Sequence, residues 1–274
     1  MATINTNVGA MVALQNLNKT NQELETVQNR INTGLAVGSA KDNGAVFAIA
    51  QNMRSDVAGL RAVQQSLDRA VSTVDVALAA GEAISDLLIE MKEKALSASD
   101  ASLDTASRDA LNEDFVALRK QIATIVSNAT FNGVNIVDGS DTSIAALADA
   151  DGASNITVDG EDLSLGGSIV TIASTNDIAT LTDAGNMVST VEASLQNLNN
   201  ALARLGTSSK KLEVHSTFVS KLSDALKTGI GNLVDADLAT ESARLQSLQV
   251  KQQLGIQALS IANSAPATVL ALFR

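Results

Sequence analysis

The sequence has no cysteine, no tryptophan, no tyrosine and a single proline among 274 residues, and only 2% of its residues are aromatic. The absence of cysteine excludes disulfides, thiolate metal sites and cysteine nucleophiles. A sandwich or barrel would need frequent turns, whereas a chain with one proline and segments rich in Ala, Leu and Gln favours long helices. We therefore predict a mainly helical fold whose core is packed by alanine and aliphatic side chains.

Long apolar runs are also missing, although 45% of the residues are hydrophobic. No stretch reaches the length of about 18 uninterrupted apolar residues that a membrane span requires, so we expect none. The opening residues, MATINTNVGA, contain neither the basic region nor the apolar region of a secretory signal. We expect a chain that is not exported through a cleaved signal peptide.

The net charge of −11 is distributed unevenly. Residues 1–43 carry three bases and three acids, residues 235–274 also carry three of each, and residues 131–185 carry nine acids and no base. Like charges are tolerated most easily where water screens them, and close packing favours electroneutral surfaces. We expect the ends to pack together and the middle to be exposed, and nucleic acid is a poor partner for this surface.

Residues 4–35 are predicted to form one helix about 45 Å long. Apolar side chains recur along one side of it, and a second stripe on another side begins with Ile4, Val8, Met11 and Val12. The first stripe consists of Ala13, Leu17, Leu24, Val27 and Ile31. Many of the remaining positions hold Asn or Thr, which are mediocre helix formers, so this helix needs a packing partner.

The middle of the chain, residues 44–234, is predicted to be a rod of antiparallel helices. Apolar residues recur at three- and four-residue steps over about 44–128 and again over about 186–229. The first of these segments is divided near residue 104, where Asp104 or Thr105 has a side chain suited to an N-cap.

Residues 131–185 differ in kind, because they are dense in Gly, Asp and Ser with short apolar alternations. We predict a small β-rich, acidic tip. Asp159-Gly160 lies between the apolar runs 156–158 and 163–165, which predicts a hairpin turn there.

This order of helix, rod, tip, rod and helix brings residues 4–35 beside 236–263. The last helix is apolar on two opposite faces. We expect Val250, Leu254 and Ile261 to cover the N-terminal helix of the same chain. The opposite face then still needs a cover, and it comprises Leu245, Leu248, Ile256 and Leu259.

A second copy of the chain is the simplest cover for that face. Burying one large aliphatic side chain is worth about 1.5–3 kcal/mol, so four of them favour association strongly. Repeated head to tail without closing, such a contact builds a filament. The predicted subunit interface comprises Leu17, Leu24, Ile31, Leu245, Leu248, Val250, Leu254, Ile256, Leu259 and Ile261.

Candidate catalytic and metal-binding residues are few. His215 is the single histidine, and without a cysteine, a second histidine or a serine nucleophile elbow we interpret it as structural. Asp149 opens a stretch that resembles a calcium loop, but the sixth and twelfth positions hold Ser154 and Gly160 in place of the required glycine and acid. We expect no enzyme activity, no cofactor and no metal.

Both ends of the sequence resemble bacterial flagellin, and the resemblance covers nearly the whole chain outside the tip. The N-terminal motifs are Ile4-Asn5-Thr6-Asn7, Asn16-Leu17, Arg30-Ile31-Asn32-Thr33-Gly34-Leu35 and Ser39-Ala40-Lys41-Asp42-Asn43-Gly44-Ala45. Phe131-Asn132-Gly133-Val134 follows, and the C-terminal motifs are Ala262-Asn263, Pro266, Val269-Leu270 and Leu272. The short middle is similar to that of alphaproteobacterial members.

The resemblance implies a structural subunit of the extracellular flagellar filament, which serves swimming motility. It implies export through the flagellum's own channel and a core domain formed by paired coiled-coil helices at residues 1–43 and 235–274. Its implied partners are further copies of this chain or other flagellins, an export chaperone, and the cap and hook-associated proteins.

Two alternatives have different consequences. A hook-filament junction protein shares such terminal helices but forms one short ring, so electron microscopy of the assemblies separates it from a filament subunit. A soluble secreted helical adhesin has no use for a two-faced last helix.

One stretch departs from the family pattern in a way that predicts a phenotype. In flagellins sensed by the innate immune flagellin receptor, the helix resembles Gln-Arg-x-Arg-Glu-Leu, whereas residues 88–94 here read LIEMKEK. Glu90 and Lys94 replace an Arg and a Leu, which changes both charge and apolar contact. We predict weak activation of receptor reporter cells, and a response equal to that of a strongly sensed flagellin would contradict this.

Overall fold

A computed structural model describes residues 6–271, with side chains described up to residue 264. Ile4, assigned above to the second stripe of the first helix, lies outside the described residues. The described chain confirms the mainly helical prediction. Its helices are α1 (Val8–Thr33), α2 (Gly44–Ala98), α3 (Thr105–Asn128), α4 (Leu181–Val234) and α5 (Leu238–Ala271), and its strands are β1 (Ser143–Leu147) and β2 (Asn155–Asp159).

The chain divides into two compact units. One consists of Met1–Ser55 with Ala225–Arg274, and the other of Asp56–Asp224. We call them the terminal unit and the middle unit. The divisions fall inside α2 and α4, so each of these helices contributes to both units.

In the middle unit, α2 and α4 run antiparallel. Gln64 Nε2 donates to Ser216 Oγ, and farther along α2 the Lys92 ammonium lies 3.5 Å from the Glu192 carboxylate. Large aliphatic side chains at heptad-like spacing fill the space between the helices. Those that are fully buried include Leu67, Ile84, Leu88, Met91, Leu198 and Leu205.

Helix α3 returns beside the end of α2, as the break near residue 104 predicts. Asp104 is its N-cap, because its carboxylate accepts a hydrogen bond of 3.1 Å from the backbone N–H of Ser107. Hydrogen bonds from Ser107 hold the pKa of Asp104 below its ordinary value. The Lys94–Asp114 ion pair, 2.7 Å long, joins α2 to α3, and Phe115 buries its whole side chain.

The predicted hairpin at Asp159-Gly160 is wrong, although residues 155–159 are a strand. β2 pairs antiparallel with β1, which precedes it, so the connection runs through residues 148–154. Gly160 lies too close to other backbone for a tight turn, because an added Cβ would approach Asp141 O to 2.5 Å.

The apolar run after Gly160 is core rather than strand. Glu161 and Leu163 donate backbone hydrogen bonds to Ile136 and Val137, and Leu163 is fully buried. The sequence did not predict strand β1, because SIAAL contains only one β-branched residue and so resembles a strand weakly.

None of the helices within residues 6–271 combines the length and apolarity of a membrane span.

Two glycines in helices of the middle unit predict opposite effects of the same substitution. At Gly59 an added Cβ would lie 2.6 Å from Ala150 O, whereas at Gly206 it would meet nothing within 4 Å. Gly59→Ala should lower the free energy of unfolding by about 1–3 kcal/mol through overpacking. Gly206→Ala should raise it by about 0.5–1 kcal/mol, because alanine loses less backbone entropy in a helix.

Urea unfolding followed by circular dichroism measures both variants against the unchanged chain. Stabilisation by Gly59→Ala would contradict the close approach of Ala150 to α2.

Candidate assembly interface

The terminal unit depends on where its two long helices begin and end. The Asn7 side chain caps α1 by accepting a hydrogen bond of 3.0 Å from Ala10 N, and α1 ends at Gly34, whose φ of 72° suits glycine. Asp237 caps α5, since its carboxylate accepts hydrogen bonds from the backbone N–H groups of Ala239 and Thr240. Bonds from Thr240, and then from Ala239, lower the pKa of Asp237, so this cap is ionised and intact at neutral pH.

Helices α1 and α5 pair antiparallel, as predicted. Asn7 Nδ2 donates to Ala262 O at 2.7 Å at one end, and Gln252 Nε2 donates to Asn21 Oδ1 at 2.8 Å in the middle. At the other end Leu35 and Asp235 form an antiparallel bridge between the segments that follow α1 and precede α5.

A partly buried ion pair sets the register of the two helices. Arg30 Nη1 lies 2.9 Å from Glu241 Oε1, with 31% and 11% of the respective side chains exposed. A slip by one turn would leave the Glu241 carboxylate buried without its cation, which is strongly unfavourable. Register specification is therefore the role that this geometry supports.

The seam between α1 and α5 follows heptad spacing on both helices. On α1 the seam residues lie on the side marked by Val27, which is 2% exposed, and on α5 on the side marked by Leu248, also 2% exposed. The seam positions that are at least half-buried include Ala13, Leu17, Leu24, Val27, Ile31, Glu241, Leu245, Leu248, Gln252, Gly255, Leu259 and Ala262.

The predicted assignment of faces on the last helix was wrong. Leu245, Leu248 and Leu259 cover α1, whereas Val250, Leu254 and Ile261 point away from it. The reason is Gly255, which brings the backbones together: a Cβ built there would lie 3.3 Å from Leu17 Cδ1. Glycine does not count as a large apolar residue. The side of α5 that packs most closely therefore seemed, from the sequence, a poorer packing surface than the opposite side.

Two apolar stripes remain uncovered in the terminal unit, and we call them the outward stripes. Their large side chains are between 51% and 64% exposed, which is too much for residues in a packed core. The outward stripe of α1 contains Val8, Met11 and Val12, and that of α5 contains Val250, Leu254 and Ile261. Ile256, two residues after Leu254, is also exposed but lies on another side of α5.

Of the ten residues predicted at a subunit interface, the structure thus brings six together inside one subunit. Leu17, Leu24 and Ile31 lie on the seam side of α1, and Leu245, Leu248 and Leu259 face them from α5. The other four, Val250, Leu254, Ile256 and Ile261, are exposed. The ten did not include Val8, Met11 and Val12, although the sequence places them on the second stripe of the first helix. The prediction missed Leu14, whose exposure extends the apolar surface near the start of α1.

The residues considered for catalysis or metal binding serve local structure. His215 Nε2 lies 2.8 Å from Ala148 O, and its ring packs 5.8 Å from that of Phe218, so it ties the segment after β1 to α4. Asp149 accepts a hydrogen bond from Ala153 N within its own turn. Among the described residues, no group of three His, Asp or Glu side chains is placed to hold a metal ion.

Family comparison covers both ends of the chain. Residues 4–142 match the bacterial flagellin N-terminal helical region, and residues 188–273 match the bacterial flagellin C-terminal helical region. The flagellin FljK of Caulobacter vibrioides is 57% identical over 271 residues, which cover 99% of this chain and 98% of that protein. A flagellin of Brucella melitensis is 37% identical over the whole of both chains.

Solved structures agree at the level of the fold. A putative flagellar hook-associated protein from Vibrio parahaemolyticus has a TM-score of 0.61 at 11% identity, covering 71% of this chain and all of that one. Bacillus cereus flagellin has a TM-score of 0.50 at 23% identity, covering 56% and 88%. The matches along the sequence, at both ends and over the full length, show that this chain belongs to the bacterial flagellin family, the structural subunits of the flagellar filament.

Proposed function

We propose that this flagellin subunit polymerises through the outward stripes of α1 and α5. The observation that carries the proposal is the exposure of these stripes: Met11 is 62% exposed, Leu254 60% and Ile261 64%. The seam already occupies the other side of each helix, and no described residue of the terminal unit covers the stripes. A neighbouring copy that buries four such side chains gains several kcal/mol, at about 1.5–3 kcal/mol each.

The placement of the stripes favours an open array over a closed dimer. Each stripe lies on the side of its helix away from the partner helix, so the two stripes face in opposite directions. A contact between the α5 stripe of one copy and the α1 stripe of the next is heterologous and can repeat without limit. Electroneutral ends, with three charges of each sign, remove the repulsion that would oppose it.

We assign the assembly role to a core domain of residues 1–43 and 235–274, and the outer part of the subunit to residues 44–234. The nine acids and no bases of residues 131–185 suit a surface that faces water in the filament.

The proposed filament has further partners at its ends and during export. The filament is a homopolymer or is shared with other flagellins, and the cap and hook-associated proteins meet its ends. An export chaperone covers the outward stripes before assembly, because exposed apolar stripes of this size promote aggregation. The subunit leaves the cell without a cleaved signal peptide.

A hook-filament junction protein is the second candidate, favoured by the structural likeness to the Vibrio protein. That likeness, at 11% identity, extends to the fold alone, whereas full-length identity of 57% to Caulobacter flagellins supports a filament subunit. Electron microscopy of the polymerised protein distinguishes micrometre fibres from single rings.

The seam predicts that Gly255→Leu separates α1 from α5. The added side chain would enter a space where even a Cβ lies 3.3 Å from Leu17 Cδ1. Hydrogen exchange should show faster exchange of backbone amides in α1 and α5, with the amides of α3 unchanged. Gly206→Leu, where the added Cβ has open space, is the matched control, and slow exchange retained in the Gly255→Leu variant would argue against the seam.

The outward stripes predict that Leu254→Asp and Ile261→Asp each raise the critical concentration for polymerisation by about tenfold or more, because a carboxylate would be buried against a neighbour. Helical circular dichroism of the monomer should be unchanged, since both positions are exposed in the subunit. Sedimentation after seeding measures the effect.

Leu181→Asp is the control for the outward stripes, because Leu181 is 43% exposed but lies at the start of α4. Polymerisation of Leu254→Asp and Ile261→Asp at the concentration of the control would refute this interface.

A further inference from the structure

The middle unit also has an apolar surface without a cover. Val214, Phe218 and Leu222 follow one another at four-residue steps on α4 and are 60%, 54% and 36% exposed. Lys211 and Lys221 project from the same side of the helix. Neither lysine forms an ion pair with another residue of the described chain. We call these five residues the basic stripe.

Helix α2 has a surface of matching shape and opposite charge. Ile89 and Leu96 lie two turns apart and are 56% and 60% exposed. Asp86 and Glu93 are exposed on the same side, and neither forms an ion pair within the described residues. These four positions recur at steps of three and four residues, the spacing of a helix-packing seam. We call them the acidic stripe.

The two stripes of one subunit are too far apart to meet. Gln64 of α2 lies against Ser216, so the basic stripe is level with that part of α2. The acidic stripe begins 22 residues farther along α2, and the centres of the two stripes are about 40 Å apart at 1.5 Å per residue. Both stripes belong to the middle unit, which holds this separation constant.

We propose that the basic stripe of one copy packs against the acidic stripe of the next copy in the filament. This contact rests on the polymerisation proposed above and adds a second, electrostatic interface to it. A copy shifted by about 40 Å along the helix direction brings the two stripes level. α2 of one copy then runs antiparallel to α4 of its neighbour.

The charges match in the register that this shift produces. Ile89 lies opposite Phe218, so their apolar surfaces bury each other. Three residues away on each helix, Asp86 lies opposite Lys221. On the other side Glu93 comes within one turn of Lys211, which the long lysine side chain spans. Opposite charges flanking an apolar contact favour this register and speed the encounter of subunits.

A cysteine pair tests the contact directly, because the chain has no cysteine of its own. The variant with Ile89→Cys and Phe218→Cys is polymerised with reducing agent, oxidised, and run on a denaturing gel without reductant. We expect a ladder of covalently linked chains. An intramolecular disulfide is excluded, because the two positions are about 40 Å apart and a disulfide requires Cα atoms within about 7 Å.

Ile89→Cys with Lys120→Cys is the matched control and should give no ladder, since Lys120 is an exposed residue of α3 outside both stripes. Filaments of the test pair that yield only single chains would overturn this inference and leave the proposed function intact. Failure of the unchanged protein to polymerise at any concentration would contradict both proposals.

Charge reversal supplies a second test that a folding defect cannot imitate. Lys211→Glu with Lys221→Glu, and separately Asp86→Lys with Glu93→Lys, place like charges in the contact. Each chain alone should need at least about tenfold more protein to polymerise. An equal mixture of the two should recover a near-normal critical concentration, because each reversed stripe then meets a reversed stripe of opposite sign.

The control for the change in net charge is Arg61→Glu with Lys120→Glu for the first chain and Asp109→Lys with Glu113→Lys for the second, because these residues are exposed and lie outside the stripes. Polymerisation of both reversed chains at the concentrations of their controls would overturn the contact, as would a mixture that polymerises no better than its components.

Discussion

The antiparallel packing of α1 against α5 is the constraint on which the rest of the account depends. A helix as apolar as α5 on two opposite sides cannot cover both within one subunit, because a single partner helix contacts only one side. The seam uses the side that carries Leu248 and Gly255, and it therefore leaves Leu254 and Ile261 in water. Exposure of these residues is thus a consequence of how the ends pack, and the proposed contact between subunits would bury them.

Local features of the chain make that packing specific. Asn7 and Asp237 determine where the two helices begin, the left-handed conformation of Gly34 ends α1, and the Arg30–Glu241 pair makes a slipped register costly. The helices of the middle unit are arranged in a similar way. α2 and α4 each bury one side against the other and leave a charged, partly apolar stripe exposed. One design, with helices that are apolar on more than one side, is compatible with a stable subunit and with a polymer.

Most of the helical architecture and the pairing of the two ends could be predicted from the sequence. The helices follow from three- and four-residue apolar spacing, the Asp104 cap from its side chain, and the pairing of the ends from the nearly palindromic order of elements. The faces of α5 were not accessible by counting large aliphatic residues, since the close approach at Gly255 depends on a side chain that is absent. The prediction of which strand pairs with β2 was also wrong. The sequence of β1 is rich in alanine and gives little indication of a strand. The Asp159-Gly160 pair suggested a turn, but the backbone of residue 141 leaves no room for one there.

The central claim is that the outward face of α5 is open in the subunit and closed in the filament. Since the chain has no cysteine, Leu254→Cys introduces one thiol whose rate of alkylation reports its access to water. The account predicts fast labelling in the monomer and labelling slowed by at least about tenfold in filaments, with Leu181→Cys equally reactive in both states. Equal labelling of Leu254→Cys in monomers and filaments would contradict it.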